Sequence, residues 1–315
     1  MRKARLKNDG EGFYHVTSRC VDRTFRFDDE DKTHIVEQIK RMGRFCGVEI
    51  GTYAVMSNHF HILLHVLPPQ ELADEELLGR VAALYGSERA EKLRVEWASY
   101  RRVGDESAMH RLEEERAALL RRMGDLSQYM KELKQWISRD YNKKVGRKGT
   151  LWEERFWSCL LEDSAETLTA VAAYIDRNAV RAGIVERPED YRWCGYAEAR
   201  AGHAEAQRTL ASLFRQEGKV GWPEAEERYR WLLCPVTDTA RAVVTDTGEG
   251  SCERRNPAFT RVLAMGSREF ILETYARFPR AFAMKRRQPR PFVADKGPED
   301  RPLCSSHRPR EAAIG

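Results

Sequence analysis

The sequence has no run of about 18 consecutive apolar residues, the minimum for a membrane-spanning helix, so no membrane partner is expected. It has no C-x-x-C pair. Its seven cysteines (Cys20, Cys46, Cys159, Cys194, Cys234, Cys252 and Cys304) are scattered singly and odd in number. Neither a disulfide framework nor a zinc ribbon is suggested, and the pattern fits a reducing compartment. The N-terminal stretch "MRKARLKNDGEGFYHV" is basic but lacks the apolar core of a signal peptide. A cytoplasmic location is therefore expected. No internal repeat is present.

With 315 residues, the chain is long enough to bury one sizeable core, and about two domains are expected from length. Apolar residues make up 42% and charged residues 33%, a globular balance. A net charge of +5 says little by itself, but its distribution says more. "YNKKVGRK" (Tyr141 to Lys148) holds four basic residues and no acid, and "RFPRAFAMKRRQPRP" (Arg277 to Pro291) holds six. Such stretches are either solvated faces or contacts for a polyanion.

Residues Gly12 to Val21 alternate and are rich in β-formers, which predicts a strand. Asp28 is placed as an N-cap, with Asp31 three positions on. Ile35, Ile39 and Met42 then recur at helical spacing, so a helix is expected from about Asp29 to Phe45, stopped by Gly47. "VEIGTYAVM", the turn Ser57–Asn58 and "HFHILLHV" predict a hairpin. From Pro68 to about Arg122 the chain is rich in Glu, Arg, Leu and Ala and reads as helical. Leu112, Leu119, Leu126 and Leu133 repeat every seven residues, which predicts one long amphipathic helix to about Tyr141. A strand over Arg155 to Asp163 follows. Asp163 and Glu166 then form a helix start close to a capping box, and the helix is expected to run to Gly183. The order is that of a βαββαβ ferredoxin-like unit, an α+β fold with an antiparallel sheet and helices on one face. The region from about His203 is expected to be helical or irregular, with "VVTDTGEGSCERRNPAF" as a linker.

Within "MSNHFHILLHV", His59 and His61 are two apart on a strand and project from one face, with Phe60 on the other. They can meet one metal ion, or they can be hydrogen-bonded residues of a sheet surface. His65 shares the face but lies ~13 Å along the strand, at ~3.3 Å per residue. Farther on, Tyr174 and Asn178 are four apart, one helical turn. Asn178 offers an amide oxygen suited to a hard divalent ion, and Tyr174 a phenol. Core packing for the tyrosine and a cap-like bond for the asparagine are the alternatives.

Four blocks in order, "FYHVTSRCVDRTFRF", "YAVMSNHFHILLHV", "KGTLWEERFWSCLLE" and "YIDRNAVRAGIVERPEDYRWCGY", resemble the single-tyrosine HUH transposases of the insertion-sequence type, and among them the REP-associated tyrosine transposases. The resemblance spans roughly Gly12 to Tyr196. It implies the ferredoxin-like fold, a metal-binding histidine pair at His59 and His61, a nucleophile at Tyr174 and a third ligand at Asn178. Ala179 stands where the family commonly has proline. Residues 69–122 form an insertion, and residues 203–315 extend beyond the family core of 1–202.

The residue types suit that chemistry. A phenol with a pKa of ~10 is a weak nucleophile at neutral pH, and a divalent cation at the phosphate compensates. The resemblance implies a Mg²⁺- or Mn²⁺-dependent attack of Tyr174 on single-stranded or hairpin DNA, through a 5′-phosphotyrosine that allows rejoining. Arg19, Arg23, Arg26, Lys143, Lys144, Arg147, Lys148 and Arg155 are candidates for phosphate contacts. Trp152, with Phe156 and Trp157, is a candidate for stacking on bases or for the core. Arg181 faces DNA or caps the helix. A silent DNA-binding regulator and a metal-dependent phosphoesterase are rival readings, and either a monomer or a homodimer is compatible with the sequence.

Overall fold

The computed structural model describes residues 5–8, 10–24, 26–214, 220–233, 262–282, 288–291 and 304–306. The linker expected around Val243 to Phe259, Cys234, Cys252 and the middle of the Arg277–Pro291 basic stretch lie outside the described residues.

Four strands carry the sheet: β1 (Gly12–Arg19), β2 (Val48–Val55), β3 (His59–Val66) and β4 (Trp157–Leu161). All pair antiparallel in the order β2-β3-β1-β4. That is the expected βαββαβ unit, with β1 and β3 at its centre. The hairpin pairs Val55 with Phe60 and Ala54 with His61.

Between β1 and β2 runs α1 (Asp29–Cys46). Its start is a capping box: the Asp28 side chain accepts from the Asp31 backbone N–H at 2.9 Å, and Asp31 accepts from Asp28 at 3.1 Å. Its end is Gly47 at φ 64°, a conformation that favours glycine.

The segment between β3 and β4 holds α2 (Asp74–Tyr85), α3 (Ser87–Val103), α4 (Glu106–Leu120) and α5 (Leu126–Lys144). The single long helix expected from the leucine repeat is instead two. Gly124, at φ 61°, breaks it; a Cβ there would lie 2.9 Å from the Pro69 backbone nitrogen. Asp125 then caps α5, accepting from Ser127 and Gln128 N–H groups. A heptad survives a turn between helices because each helix buries its own leucines: Leu112 on α4, Leu126 and Leu133 on α5.

After β4 come α6 (Ala165–Asp176) and α7 (Asn178–Arg181). The cap of α6 is Ser164, which accepts from the Thr167 N–H, one residue later than the Asp163 start expected. A break at Arg177 divides what was expected to be one helix to Gly183.

The later elements are α8 (Gly195–Arg200), α9 (Ala204–Ser212), α10 (Trp222–Leu233), β5 (Ala264–Gly266), α11 (Arg268–Arg277), β6 (Arg290–Pro291) and β7 (Cys304–Ser305). β5 joins the same sheet, parallel to β4, and β7 and β6 follow it. Among the described residues, the sheet thus has seven strands.

Helices on one face were expected. That holds for α1 and α5, which cover the face of Phe60: Phe60 packs on Trp152, whose indole N–H donates to the Lys134 carbonyl of α5. The opposite face, carrying His61, is covered by α6. Adjacent residues of a strand point to opposite faces, so the two histidines belong to the α6 layer. Among the described residues, no helix is long and apolar enough to cross a membrane.

Candidate active site

Strand β3 aims His59 and His61 at α6. Their ring centroids are 5.1 Å apart and nearly perpendicular. Asn58 Oδ1 sits 2.6 Å from His59 Nδ1. An amide oxygen only accepts, so His59 carries a proton on Nδ1, and in the neutral ring Nε2 is the nitrogen with a lone pair.

His61 is 3% exposed. Its Nδ1 lies 2.8 Å from Nε2 of His15, a histidine of β1 that is itself buried. Burial holds both rings neutral. It presses His15 down to about 3, with the Arg181 guanidinium adding to the effect. It presses His61 well below the ordinary histidine range, with His15, His59, Arg181 and Arg19 adding. A neutral imidazole is the ligating form, so these rings need not lose a proton to bind a cation.

Tyr174 approaches from α6. Its ring stands edge-on to His61 at 5.9 Å and to His15 at 5.8 Å between centroids. Tyr174 is 8% exposed and forms part of the core layer. The Arg181 guanidinium carbon lies 4.0 Å over its ring, and Arg181 Nη1 donates to the Tyr174 carbonyl at 3.4 Å. Arg181 therefore serves the tyrosine directly, one turn beyond the helix break.

Asn178 opens α7, is 7% exposed, and gives its backbone carbonyl to the Ala182 N–H. The break at Arg177 places Tyr174 and Asn178 on different helices, so the four-residue spacing no longer describes one continuous face. Two neutral imidazoles and an amide oxygen are a donor set that suits Mg²⁺ or Mn²⁺. Among the described residues, no group of three His, Cys, Asp or Glu side chains forms a metal cluster. An asparagine ligand lies outside that set, and His15 Nε2 is already turned to His61.

His65, on the same strand, is remote from this group. It stacks on Phe13 at 4.0 Å and lies between Glu49 and Glu11, at 2.7 and 2.6 Å.

Beneath the helix break, the fully buried Asp176 carboxylate accepts from Thr52 Oγ1 (2.8 Å), the Tyr196 N–H (3.1 Å) and the Tyr229 hydroxyl (2.6 Å). Burial raises its pKa to about 6, against those three donors and the Cys194 thiol.

The basic candidates separate. Arg19 pairs opposite His59 across β1 and β3. Arg23 is exposed, 4.0 Å from Glu153. Arg26 is half-buried against the Ser57 turn, to which its backbone N–H donates. Lys143, Lys148 and Arg155 are exposed, and Arg147 donates to the Thr150 carbonyl. Lys144 is held by Asp28, Glu30 and Asp31 at 2.8 to 3.1 Å, so it staples α5 to the start of α1 rather than projecting outward. Trp152 takes the core alternative: it is packed against Phe27 and Phe60 and is 9% exposed. Phe156 is likewise buried, under the Arg5 guanidinium, and Trp157 is half-buried.

Residues 11–93 match the family model described as "Transposase IS200 like". The chain is similar to IS200-like transposases. The match runs from β1 into α3 and contains His15, His59 and His61, but ends before α6. The solved structures similar to this transposase-like chain include one described as "Structure of the REP associates tyrosine transposase bound to a REP hairpin". It shares 15% identity at a TM-score of 0.41, covering 64% of this chain and 86% of that chain. No curated protein matches the sequence.

His15, Asp176 and the Arg181–Tyr174 contact were not singled out from sequence. In the sequence, His15 stands between the apolar or aromatic residues Phe13, Tyr14 and Val16 of its strand. Its partner is set by the β1–β3 register, which no local signal gives.

Proposed function

We propose that the chain is a metal-dependent, single-strand DNA endonuclease and strand-transfer enzyme in which Tyr174 is the nucleophile. One observation carries the reading: Tyr174 meets His61 edge-to-face at 5.9 Å, beside His59 and under Arg181. A phenol, a histidine pair and a guanidinium in one place form a phosphoryl-transfer constellation.

In this reading His59, His61 and Asn178 hold one Mg²⁺ or Mn²⁺. When bound, the ion polarises the scissile phosphate and offsets the charge of the transition state. The Tyr174 oxygen attacks phosphorus and forms a P–O bond. The bond from phosphorus to the 3′ oxygen breaks, and that oxygen leaves as a 3′-hydroxyl after taking a proton from water. The phenol proton also passes to water. Arg181 packs over the ring and holds it in place, and the buried site limits water at the reacting phosphorus. Attack of a 3′-hydroxyl on the phosphotyrosine reverses the step, so rejoining needs no nucleotide cofactor.

The substrate is single-stranded or hairpin DNA, bound along Arg19, Arg23, Arg26, Lys143, Arg147, Lys148 and Arg155. The catalytic unit spans residues 1–202, with 69–122 inserted and 203–315 as an accessory region.

The test is a labelled hairpin oligonucleotide incubated with protein and Mn²⁺. Cleavage that leaves a free 3′-hydroxyl and is lost in His59→Ala and His61→Ala is expected. Cleavage of that DNA unaffected by both substitutions would contradict the reading.

A further inference from the structure

His15 lies outside the ligand set just proposed, yet it is the most enclosed polar ring of the site. It is 1% exposed, sits mid-strand on β1 and meets both His61 and Tyr174. Across the sheet Thr17 pairs with His61, so His15 is the diagonal neighbour two residues along, on the same face. The two imidazoles stack at 5.1 Å with an interplanar angle of 22°, and Nε2 of His15 is 2.8 Å from Nδ1 of His61.

Two neutral rings in that contact share a single proton, so one nitrogen donates and the other accepts. The two arrangements are not equivalent for His61. With the proton on its Nδ1, Nε2 keeps a lone pair and can ligate. With the proton on His15 Nε2, His61 carries its own proton on Nε2 and cannot. Ring nitrogens that bind metals characteristically have the second nitrogen fixed by an outer partner. His59 already has one in Asn58.

We propose that His15 is a positioning residue that holds His61 in the Nδ1–H tautomer and fixes its ring plane, presenting Nε2 as a ligand. The proposal rests on the reading of His59 and His61 as a divalent-cation site. It assigns to β1 a part in the site that the nucleophile and ligand residues do not include. His15 is not itself a ligand or a catalytic residue, because its Nε2 faces His61.

Two substitutions separate the nitrogen from the ring. His15→Phe keeps a flat ring of similar size and removes both nitrogens. His15→Gln restores a hydrogen-bonding group near the Nε2 position. Mn²⁺ binding is measured directly, by calorimetry or by the loss of the free-ion electron paramagnetic resonance signal, without DNA. His15→Phe is expected to bind Mn²⁺ about 10- to 100-fold more weakly, the usual loss for an outer partner. His15→Gln is expected to recover most of that loss. The tautomer is read separately in the metal-free wild-type protein, from two-bond ¹H–¹⁵N correlations of the His61 ring, where protonation on Nδ1 is expected. That second readout stands even where His15→Phe does not fold.

Failure of the underlying reading has its own signature: wild-type Mn²⁺ binding that is absent, or unchanged in His61→Ala, removes the cation site and this proposal with it. Failure of the proposal alone looks different. Mn²⁺ binding that depends on His61 but is equal in wild type and His15→Phe overturns it, as does a His61 ring protonated on Nε2.

Discussion

The Tyr229 hydroxyl donates to Asp176 Oδ2 at 2.6 Å, and both groups are buried. This bond joins α10, from the C-terminal part of the chain, to the last residue of the helix that carries Tyr174. Thr52 of β2 and the Tyr196 N–H of α8 complete the set. The turn between Tyr174 and Asn178 is therefore fixed from three directions.

Tyr229→Phe removes one donor and leaves Thr52, the Tyr196 N–H and the Cys194 thiol on the carboxyl. A buried polar group deprived of one partner costs about 1–3 kcal/mol. We expect a loss of that size in urea unfolding, with little change in slope. A variant as stable as the wild type would mean that Tyr229 does not brace α6.

Arg181 and Tyr174 are in cation–π contact at 4.0 Å. Such contacts are worth about 0.5–2 kcal/mol. If that contact holds the ring in its attacking position, Arg181→Gln should slow single-turnover strand cleavage roughly 2- to 30-fold. Equal cleavage rates would assign Arg181 to packing alone.

Among the basic residues, Lys144 is expected to behave unlike its neighbours. Lys143→Ala combined with Lys148→Ala removes two exposed cations. The slope of log affinity against log salt should then fall by about 1.4 for single-stranded DNA, at ~0.7 per phosphate. Lys144→Ala should leave that slope unchanged and lower thermal stability instead, since three carboxylates hold it. A reduced slope for Lys144→Ala would show that DNA competes for this side chain.

Asp28 gives the acid limb of stability a testable component. The Asp31 backbone N–H and the Lys144 ammonium hold its carboxyl down to about 2. A carboxyl depressed in the folded state stabilises the fold above the unfolded pKa, near 3.9, and that contribution is lost as pH falls towards 2. Asp28→Asn can still cap α1 but cannot titrate. Its unfolding free energy should therefore depend less on pH between 4 and 2 than that of the wild type. Parallel curves would assign the acid sensitivity to other carboxylates.

Most of the sheet was legible because alternation, the Ser57–Asn58 turn and the Asp28–Asp31 cap are local signals. The histidine pair was legible for the same reason: two residues apart on a strand means one face. The leucine repeat from 112 to 133 misled, since a seven-residue period is indifferent to a turn that preserves its phase. Gly124 followed by Asp125 was the contrary signal. What the sequence could not show was long-range. The His15–His61 bond depends on strand register, the burial of Trp152 on α5 lying over it, and the Asp176 network on α8 and α10 returning to α6. The parallel pairing of β5 with β4 spans about a hundred residues and left no local trace.

The central claim is that Tyr174 is the nucleophile. Tyr174→Phe removes one hydroxyl and keeps the ring that packs on His61 and under Arg181. Its stability should change by no more than one hydrogen bond, about 0.5–1.5 kcal/mol. Wild type and Tyr174→Phe are incubated with a 3′-labelled hairpin oligonucleotide and Mn²⁺, denatured, and resolved for a covalent DNA–protein band. The account predicts a band in the wild type that maps to Tyr174, and neither band nor cleavage in Tyr174→Phe. Cleavage by Tyr174→Phe at the wild-type rate would contradict it and leave water as the attacking group.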